Sequence, residues 1–419
     1  MRLALLSQWY DPEPGPAALP GVLARGLRDR GHHVDVVTGF PNYPTGRLAP
    51  GYRVRTHMIE RHEGIDVHRT ALYPSHGSRL ASRLANFGSF GASALVYGSR
   101  VLSRADAVWV NYSPISVAPA MWAARLASGV PVVLHVADLW PDTVLASGFG
   151  GGRATTEAVK VMNWWCTRMY ASSEAIVHIS EGVGEELAQR GVPREKLHYV
   201  PTWADETLYD GHGHSMRAEL GIPDDCRVLL YAGSLGPAQG LETLIEAMSL
   251  VEDPSLLVLI AGSGVSELEL RELATVEGSG RVRFIGRVPQ QRMADLLATC
   301  DASYISLRDH PLTNMTMPSK TQTIMASGRP ILAAASGDLA TAVGAGRCGL
   351  VAPPDDATGV AAMLRQFGRM EKTTLEAMGH CARTYYEREF SSAGGVDKIE
   401  NLLLTAAQKK HQEGADGRR

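Results

Sequence analysis

Residues 318–320, Pro-Ser-Lys, begin a short apolar segment that ends at Gly328. A proline preorganises the first turn of a helix, and the free amides of that turn together with the helix dipole favour an anion. Lys320 adds a full positive charge. These residue types predict a phosphate-binding site, and a capped helix start with an exposed lysine fits the same pattern.

Glycines end several predicted strands in the second half of the chain. They are Gly233 in "RVLLYAGS", Gly262 and Gly264 in "SLLVLIAGSG", and Gly286 in "RVRFIG". Open parallel sheets bind ligands in the crevice beyond the carboxyl ends of their strands. The glycines therefore indicate a ligand site at that edge.

The bulk composition is that of a soluble two-domain protein. The chain has 419 residues, 45% of them hydrophobic and 20% charged, with a formal net charge of -3. This length suits two domains of roughly 200 residues, and the charge balance argues against a nucleic-acid partner. The five cysteines are scattered, which predicts neither a disulfide framework nor a zinc site and suits a reducing compartment.

The first forty residues predict a strand-helix-strand unit. A strand at Arg2–Gln8, a helix at Ala17–Arg30 and a strand at His33–Thr38 follow one another, with Gly31 as the helix cap. Later apolar runs alternate with helical patterns, as a parallel sheet covered on both faces requires. We predict four segments: an N-terminal domain at 1–205, a linker at 206–217, a C-terminal domain at 218–389, and a helix with a polar tail at 390–419 that packs back on the N-terminal domain.

Four segments resemble the GT-B glycosyltransferases of retaining family 4 (glycosyltransferase group 1), in their branch of bacterial polysaccharide and amino-sugar transferases. They occur in the expected order and spacing: residues 13–53 with "GFPNYP", "DLWPD" at 138–142, "YAGSLGPAQGLETLIEA" at 231–247, and "PSK…MASGRPI" at 318–331.

The resemblance implies an α/β fold of two Rossmann-like doubly wound parallel-sheet domains facing across a cleft. It implies a nucleotide-diphosphate sugar held mainly by the C-terminal domain, and a saccharide, lipid-linked or secondary-metabolite acceptor held mainly by the N-terminal domain. Transfer retains the anomeric configuration, without a metal ion or a cofactor beyond the nucleotide-sugar co-substrate. The expected location is the cytoplasm, with peripheral contact at the inner face of the membrane.

On the donor side, Ser234 and Gln239 occupy the positions where the wider family has an arginine and a lysine. We expect both to contribute hydrogen bonds, with Lys320 or Arg308 supplying the positive charge. For Gln239, a loop-capping amide is an equal alternative. The other donor-binding candidates are Gly15, Gly233, Gly286, Met315, Thr316, Met317, Ser319 and Thr323.

Two of these candidates bear on the donor sugar. No carboxylate lies between Asp309 and Asp338, whereas the family has two glutamates in this segment, facing the donor sugar and the ribose. Met315 and Thr323 stand in their places. A threonine still bonds a hydroxyl and a methionine does not replace a carboxylate, which favours a deoxy or modified donor sugar.

On the acceptor side, Ala137 stands where the family has a catalytic histidine. Because residues two apart on a strand share a face, we predict that His135 takes that role beside Asp138, with a buried structural histidine as the alternative. The acceptor-binding candidates are Asn42, Tyr43, Tyr112 and Trp140, whose side chains suit sugar rings and are individually also common in protein cores.

Residues 78–104 place arginines at the ends of an apolar helix, which suits an anionic membrane or an acceptor and equally a solvated helix end. Two rival functions share the architecture. A sugar-nucleotide epimerase needs acid-base carboxylates that the segment 307–335 lacks. A non-catalytic nucleotide-sugar-binding protein fits the missing glutamates.

Overall fold

The computed structural model describes residues 1–13, 18–75, 80–143, 153–209, 212–277 and 280–416. The chain forms two compact units: an N-terminal unit of Met1–Pro201 with Ser392–Arg419, and a C-terminal unit of Thr202–Ser391. All the described residues of the predicted linker 206–217 belong to the C-terminal unit. The backbone N–H of Met216 donates to Thr299 Oγ1 at 2.7 Å, and that of His214 donates to Asp295 Oδ1 at 2.8 Å.

The N-terminal unit is built on an eight-stranded sheet in the order β3-β4-β2-β1-β5-β6-β7-β8. Its strands are β1 Arg2–Leu6, β2 His33–Gly39, β3 His57–His62, β4 Ile65–Thr70, β5 Ala107–Asn111, β6 Val132–Val136, β7 Ala175–His178 and β8 Leu197–Tyr199. All neighbours pair in parallel except β3 with β4. The central strands are buried on both faces, as their continuous apolar runs predict.

Helices cover this sheet. They are α1 Leu19–Asp29, α2 Leu80–Ser93, α3 Ser99–Leu102, α4 Ala118–Ser128, α5 Arg153–Ala171 and α6 Glu181–Gln189. A π-helical turn at Ala94–Gly98 joins α2 to α3. Gly98 lies directly on β2, since a Cβ at this position would come within 2.5 Å of Val37 Cγ1.

The C-terminal unit has a six-stranded parallel sheet in the order β11-β10-β9-β12-β13-β14. The strands are β9 Arg227–Ser234, β10 Leu256–Ser263, β11 Val282–Gly286, β12 Ala302–Ser306, β13 Ile331–Ala334 and β14 Gly349–Ala352. The helices are α7 Leu241–Ser249, α8 Glu267–Val276, α9 Met293–Thr299, α10 Pro311–Asn314, α11 Lys320–Ala326, α12 Gly337–Ala345, α13 Ala357–Gly368 and α14 Lys372–Glu389. Two apolar clusters, one on each face, enclose this sheet.

The last helix, α15 at Ser392–Asp416, belongs to the N-terminal unit and packs on α1. Gly26 allows this contact because a Cβ there would come within 2.9 Å of Val396. The ring of His32 lies 2.7 Å from Glu400 at the same junction. Across the described ranges, none of the helices combines the length and the apolar character that a membrane crossing needs.

Candidate active site

Each sheet has one topological switch point, where ligands bind in folds of this class. In the N-terminal unit, β1 lies between β2 and β5, so the loops that follow β1 and β5 diverge at the carboxyl edge. In the C-terminal unit, β9 lies between β10 and β12, and the loops after β9 and β12 diverge in the same way. The candidate residues gather at these two edges.

Lys320 lies at the carboxyl edge of the sheet in the C-terminal unit. Its ammonium lies 4.1 Å from the centre of the Tyr231 ring, on the last part of β9. Gly233, two residues further along β9, has φ of +155°, and a Cβ there would come within 2.6 Å of Lys320 Nζ. Glycine suits this φ, and the absence of a Cβ leaves room for the lysine at the end of the strand.

Lys320 carries its charge without a carboxylate partner among the described residues. Burial lowers its pKa to about 8, because desolvation disfavours the charged ammonium. The group is still mostly protonated at neutral pH. A half-buried, unpaired cation at a switch point is a site for an anion.

Arg308, which follows β12, does not provide a second free cation. Its guanidinium forms ion pairs with Glu242 and with Asp355, the latter at 3.3 Å, and Nε donates to the Pro237 carbonyl at 3.0 Å. The expectation that Lys320 or Arg308 supplies the positive charge stays a prediction; in this structure two carboxylates pair with Arg308, which favours Lys320 for that role.

The loop after β9 presents polar groups at the same edge. Ser234 is exposed, and its carbonyl accepts a hydrogen bond from the Tyr231 hydroxyl at 2.6 Å. Gln239 Oε1 accepts from the Gly236 N–H at 3.1 Å, which is the loop-capping alternative of the sequence analysis. Its amide nitrogen has no protein partner among the described residues.

The segment before α11 is mixed in character. Met317 is 8% exposed and packs in the core, so its predicted donor contact is wrong. Met315 and Thr316 are half-buried, and Ser319 is exposed just ahead of α11. Thr323 Oγ1 donates to the Ser319 carbonyl at 3.4 Å.

Two predicted glycines lie apart from this group. Gly286 ends the edge strand β11, two strands away from β9, with φ of +73°. Gly15 lies outside the described residues.

Asp138 is an exposed carboxylate at the carboxyl edge of the N-terminal sheet. It follows β6, and Ser113, which follows β5, donates to its Oδ2 from Oγ at 2.9 Å. Desolvation by the surrounding protein raises the pKa of Asp138, and the hydrogen bond from Ser113 opposes that rise. The sequence analysis missed Ser113, although its place directly beyond a strand end was a signal for it.

His135 is not placed for catalysis. The ring is 1% exposed, packs edge-on against Trp109 with centroids 5.4 Å apart, and neither nitrogen has a partner among the described residues. Burial lowers its pKa to about 4, so the ring is neutral at physiological pH. The catalytic prediction is wrong because His135 lies within β6, and both faces of this strand are buried.

Aromatic residues follow the ends of β1, β2 and β6: Trp9, Tyr43 and Trp140. Tyr43 meets Trp9 edge-on with centroids 6.2 Å apart, and Trp140 meets Phe87 in the same way at 6.3 Å. Arg190 fixes the loop that carries Trp140, since it donates to that residue's carbonyl at 2.9 Å and to Asp142 at 2.6 Å. All four rings are half-buried and offer partial faces.

Two predicted acceptor residues are structural. Tyr112 is fully buried and its hydroxyl lies 2.9 Å from that of Tyr170. Asn42 is 4% exposed, and its side chain bonds the Phe40 carbonyl at 3.0 Å. Both acceptor predictions are wrong, because neither side chain has a surface to offer.

Glu13 holds the 40–43 loop from beneath. Its Oε1 accepts from the backbone N–H groups of Asn42 at 2.7 Å and Tyr43 at 2.8 Å. Burial raises the pKa of this carboxyl, and the backbone donors oppose the rise. Glu13 therefore joins the start of the 13–53 segment to its "GFPNYP" part.

The described residues contain a single group spaced to hold a metal ion: His33, Asp35 and Asp66. These residues lie near the starts of β2 and β4, at the edge of the sheet opposite to Asp138. Arg2 Nε already lies 2.8 Å from Asp35. Metal-independent transfer stays a prediction.

Comparison with known proteins decides the family. A model of the glycosyl transferase 4-like domain matches residues 15–203, and a model named glycosyl transferases group 1 matches residues 226–368. D-inositol 3-phosphate glycosyltransferase 2 of Catenulispora acidiphila is 32% identical over 418 residues, which cover 91% of each chain. The chain belongs to the group 1 glycosyltransferases. WcaI of Escherichia coli K12, named for colanic acid biosynthesis, is 25% identical to this glycosyltransferase over 335 residues, 78% of this chain and 82% of WcaI.

Solved structures share the fold across both units. Sucrose-phosphate synthase from Thermosynechococcus elongatus matches with a TM-score of 0.72 at 18% identity, over 96% of this chain and 98% of its own. Anabaena HepE, solved in complex with UDP and glucose, matches with a TM-score of 0.69 at 18% identity, over 96% and 99%. The predicted GT-B fold of two Rossmann-like domains is confirmed.

Proposed function

We propose that this glycosyltransferase moves a sugar from a nucleoside diphosphate donor to a hydroxyl group of a saccharide or related acceptor, with retention and without a metal ion. The C-terminal unit holds the donor and the N-terminal unit the acceptor. The observation that carries the proposal is Lys320, a half-buried cation at the switch point with no carboxylate partner in the described ranges.

The chemistry follows from the leaving group. The bond from the anomeric carbon to the β-phosphate oxygen breaks, and negative charge grows on the diphosphate, where a fixed cation stabilises it most. The acceptor oxygen forms the new bond to the anomeric carbon. Its proton passes to a base, and we assign this role to Asp138, an exposed carboxylate directly after β6.

The names of similar proteins support the substrate classes. HepE was crystallised with UDP and with UDP-glucose, which makes UDP the first donor to test. The relatives named for D-inositol 3-phosphate and for colanic acid biosynthesis support a cyclitol or saccharide acceptor in bacterial glycan synthesis.

For the donor sugar, we retain the hypothesis of a deoxy or modified hexose facing Met315. An apolar slot does not strongly reject a sugar that lacks a hydroxyl. Met315→Glu should shift preference toward the fully hydroxylated hexose by about 1–3 kcal/mol, measured as paired turnover of a hexose donor and its deoxy analogue. Identical preference in both proteins would remove Met315 from the sugar site.

Peripheral membrane contact is supported by exposed apolar side chains around the π-helical turn. Leu84 is 56% exposed and Val96 67% exposed, and Arg100 is exposed nearby. Co-sedimentation with phosphatidylglycerol vesicles tests this contact, which Val96→Asp should weaken. Equal sedimentation of wild type and variant would refute this location.

The deciding experiment is a thermal-shift panel of UDP, GDP, dTDP and their sugars. A ligand at a hundred times its dissociation constant adds about 2.7 kcal/mol of stability. Turnover of the best donor is then measured in excess chelator, with and without candidate saccharides. Sugar inversion without an acceptor would indicate an epimerase, binding without diphosphate release a non-catalytic protein, and rescue by magnesium a metal-dependent enzyme.

A further inference from the structure

Three of the seven tryptophans meet on one surface of the N-terminal unit. The ring centroids of Trp122 and Trp165 lie 4.9 Å apart, and those of Trp164 and Trp165 lie 6.4 Å apart. Trp164 is 54% exposed. A large aromatic surface left in water on a helix indicates an interaction site.

Trp122 and Trp164 line a cavity of about 490 Å³ together with Arg168, Ala171 and Ser172, and Trp165 packs against both of these rings. This volume and an aromatic lining with few polar groups are typical of small-ligand sites. The rings are fixed: Trp122 Nε1 donates to Ser172 Oγ at 3.0 Å, and Trp165 Nε1 donates to the Ile115 carbonyl at 2.9 Å. Because the indole donor of Trp122 is used internally, this ring offers its π surface to an occupant of the cavity.

Arg168 supplies the charge of this cavity. Its guanidinium lies 5.7 Å from the Trp164 ring and has no carboxylate partner in the part of the chain that the structure describes. The nearby acids are already paired, Glu157 with Lys160 at 2.8 Å and Glu174 with Arg125 at 3.3 Å. The guanidinium fork is therefore available to a carboxylate, which it matches in geometry.

We infer that this cavity is a second saccharide-binding site, for a glycan that carries carboxylate groups. The C–H groups on the face of a sugar ring form an apolar, slightly positive surface. This surface suits the negative face of an indole ring. Apart from Trp122 on α4, the cavity residues lie in the last half of α5 and just beyond it, next to the start of β7, so this part of the site lies toward the sheet edge opposite to Asp138. A glycan held there would remain on the protein outside the transfer site.

Isothermal titration of the full chain tests the inference, with an oligogalacturonate hexamer as the acidic probe and maltohexaose as the neutral probe. Tighter binding of the acidic hexamer is expected. Trp164→Ala should weaken it at least tenfold, and Arg168→Gln should abolish the preference over maltohexaose. Leu126→Ala is the matched control, because Leu126 is 91% exposed on α4 and does not line the cavity.

The proposal rests on the proposed function only for the choice of a glycan, so the titration is repeated in Lys320→Gln. Unchanged hexamer binding by Lys320→Gln, whether or not this variant binds the diphosphate, separates the second saccharide site from the proposed transfer site. The absence of binding by wild type, equal binding of the two hexamers, or full binding by Trp164→Ala overturns the inference. Trp164-dependent binding to phosphatidylglycerol vesicles without hexamer binding overturns it in favour of a membrane anchor.

Discussion

His135 in the N-terminal unit and Lys320 in the C-terminal unit are both bases near the carboxyl edge of a sheet, and burial lowers the pKa of both. The pKa of His135 falls from 6.5 to about 4, and that of Lys320 falls from 10.5 to about 8. At neutral pH the histidine is therefore an uncharged ring and the lysine remains a cation. The same physical cause gives opposite charge states because the ordinary pKa values differ.

Under the proposed function, this difference in charge suits the two units to different substrates. A diphosphate site needs a side chain that stays charged when it is partly desolvated and that is not already paired with a carboxylate. Lys320, over the Tyr231 ring, meets both requirements. The carboxyl edge of the N-terminal sheet has the uncharged His135 in its interior and the exposed carboxylate of Asp138, with Trp140 two residues further along the chain. This arrangement suits an uncharged hydroxylated acceptor.

The largest effect is expected from Asp138→Asn. The amide oxygen still accepts from Ser113 at the 2.9 Å position, so the local structure is retained while the base is lost. Turnover should fall about 10²–10⁴-fold, as general-base catalysis of this kind contributes. The measurement is diphosphate release under saturating donor, with donor affinity from titration as the control.

Donor affinity should stay within about twofold in that variant, because the acid is assigned to the acceptor unit alone. A variant with full turnover would remove Asp138 from the mechanism. A variant that loses donor binding instead would contradict the division of roles between the units.

The second effect concerns stability. Between pH 6.5 and 4 the unfolded chain protonates His135 and the folded one does not, so stability falls as the pH drops through this window. The loss amounts to about 3 kcal/mol at most. His135→Leu should remove this component, measured as the difference in unfolding free energy between pH 6.5 and pH 4 in denaturant titrations.

The matched control is His62→Leu, since His62 is exposed on the edge strand β3. That variant should retain the acid dependence of the wild type. If His135→Leu also retains it, the histidine ring titrates in the folded state and our assignment of a neutral, structural ring fails.

The third effect is the loss of the unpaired cation. Lys320→Gln should weaken nucleoside diphosphate binding about 10–100-fold, the range of a charge-assisted hydrogen bond. Lys398→Gln is a matched control, because Lys398 also lies over a tyrosine, Tyr199, at 5.8 Å but in the other unit. In wild type, affinity should also fall as the pH rises through about 8, where Lys320 loses its proton. A pH-independent affinity from pH 7 to 9 would contradict this role.

How much of this was predictable from sequence differs between fold and site. The buried strands β1, β2, β5, β6 and β7 follow from their apolar runs. β3 does not, because its residues "HMIERH" are polar and mostly exposed on an antiparallel edge, where no periodicity of burial is imposed.

For the site, local signals located Lys320 and Asp138 but not the state of their neighbours. Arg308 is neutralised by Glu242 and Asp355, which are distant in sequence and which only the fold brings to it. Tyr112 follows a strand end, where a surface position is expected, yet it packs under Tyr170. Whether an aromatic side chain is buried depends on packing that one strand's pattern does not record.

The smallest effect is expected from Arg308→Gln, and it tests the paired cation against the unpaired one. Arg308 shares its charge with two carboxylates whose side chains are 32% and 36% exposed, so solvent compensates for much of its loss. Its removal leaves one additional net negative charge at the carboxyl edge of the C-terminal sheet. Because solvent and salt screen the resulting repulsion, diphosphate affinity should fall by less than about fivefold. The double variant with Lys320→Gln should show nearly additive losses, because the two cations have no shared partner. A loss in Arg308→Gln as large as in Lys320→Gln would show that the guanidinium leaves Glu242 and Asp355 to bind the diphosphate, and that the C-terminal unit uses two cations rather than one.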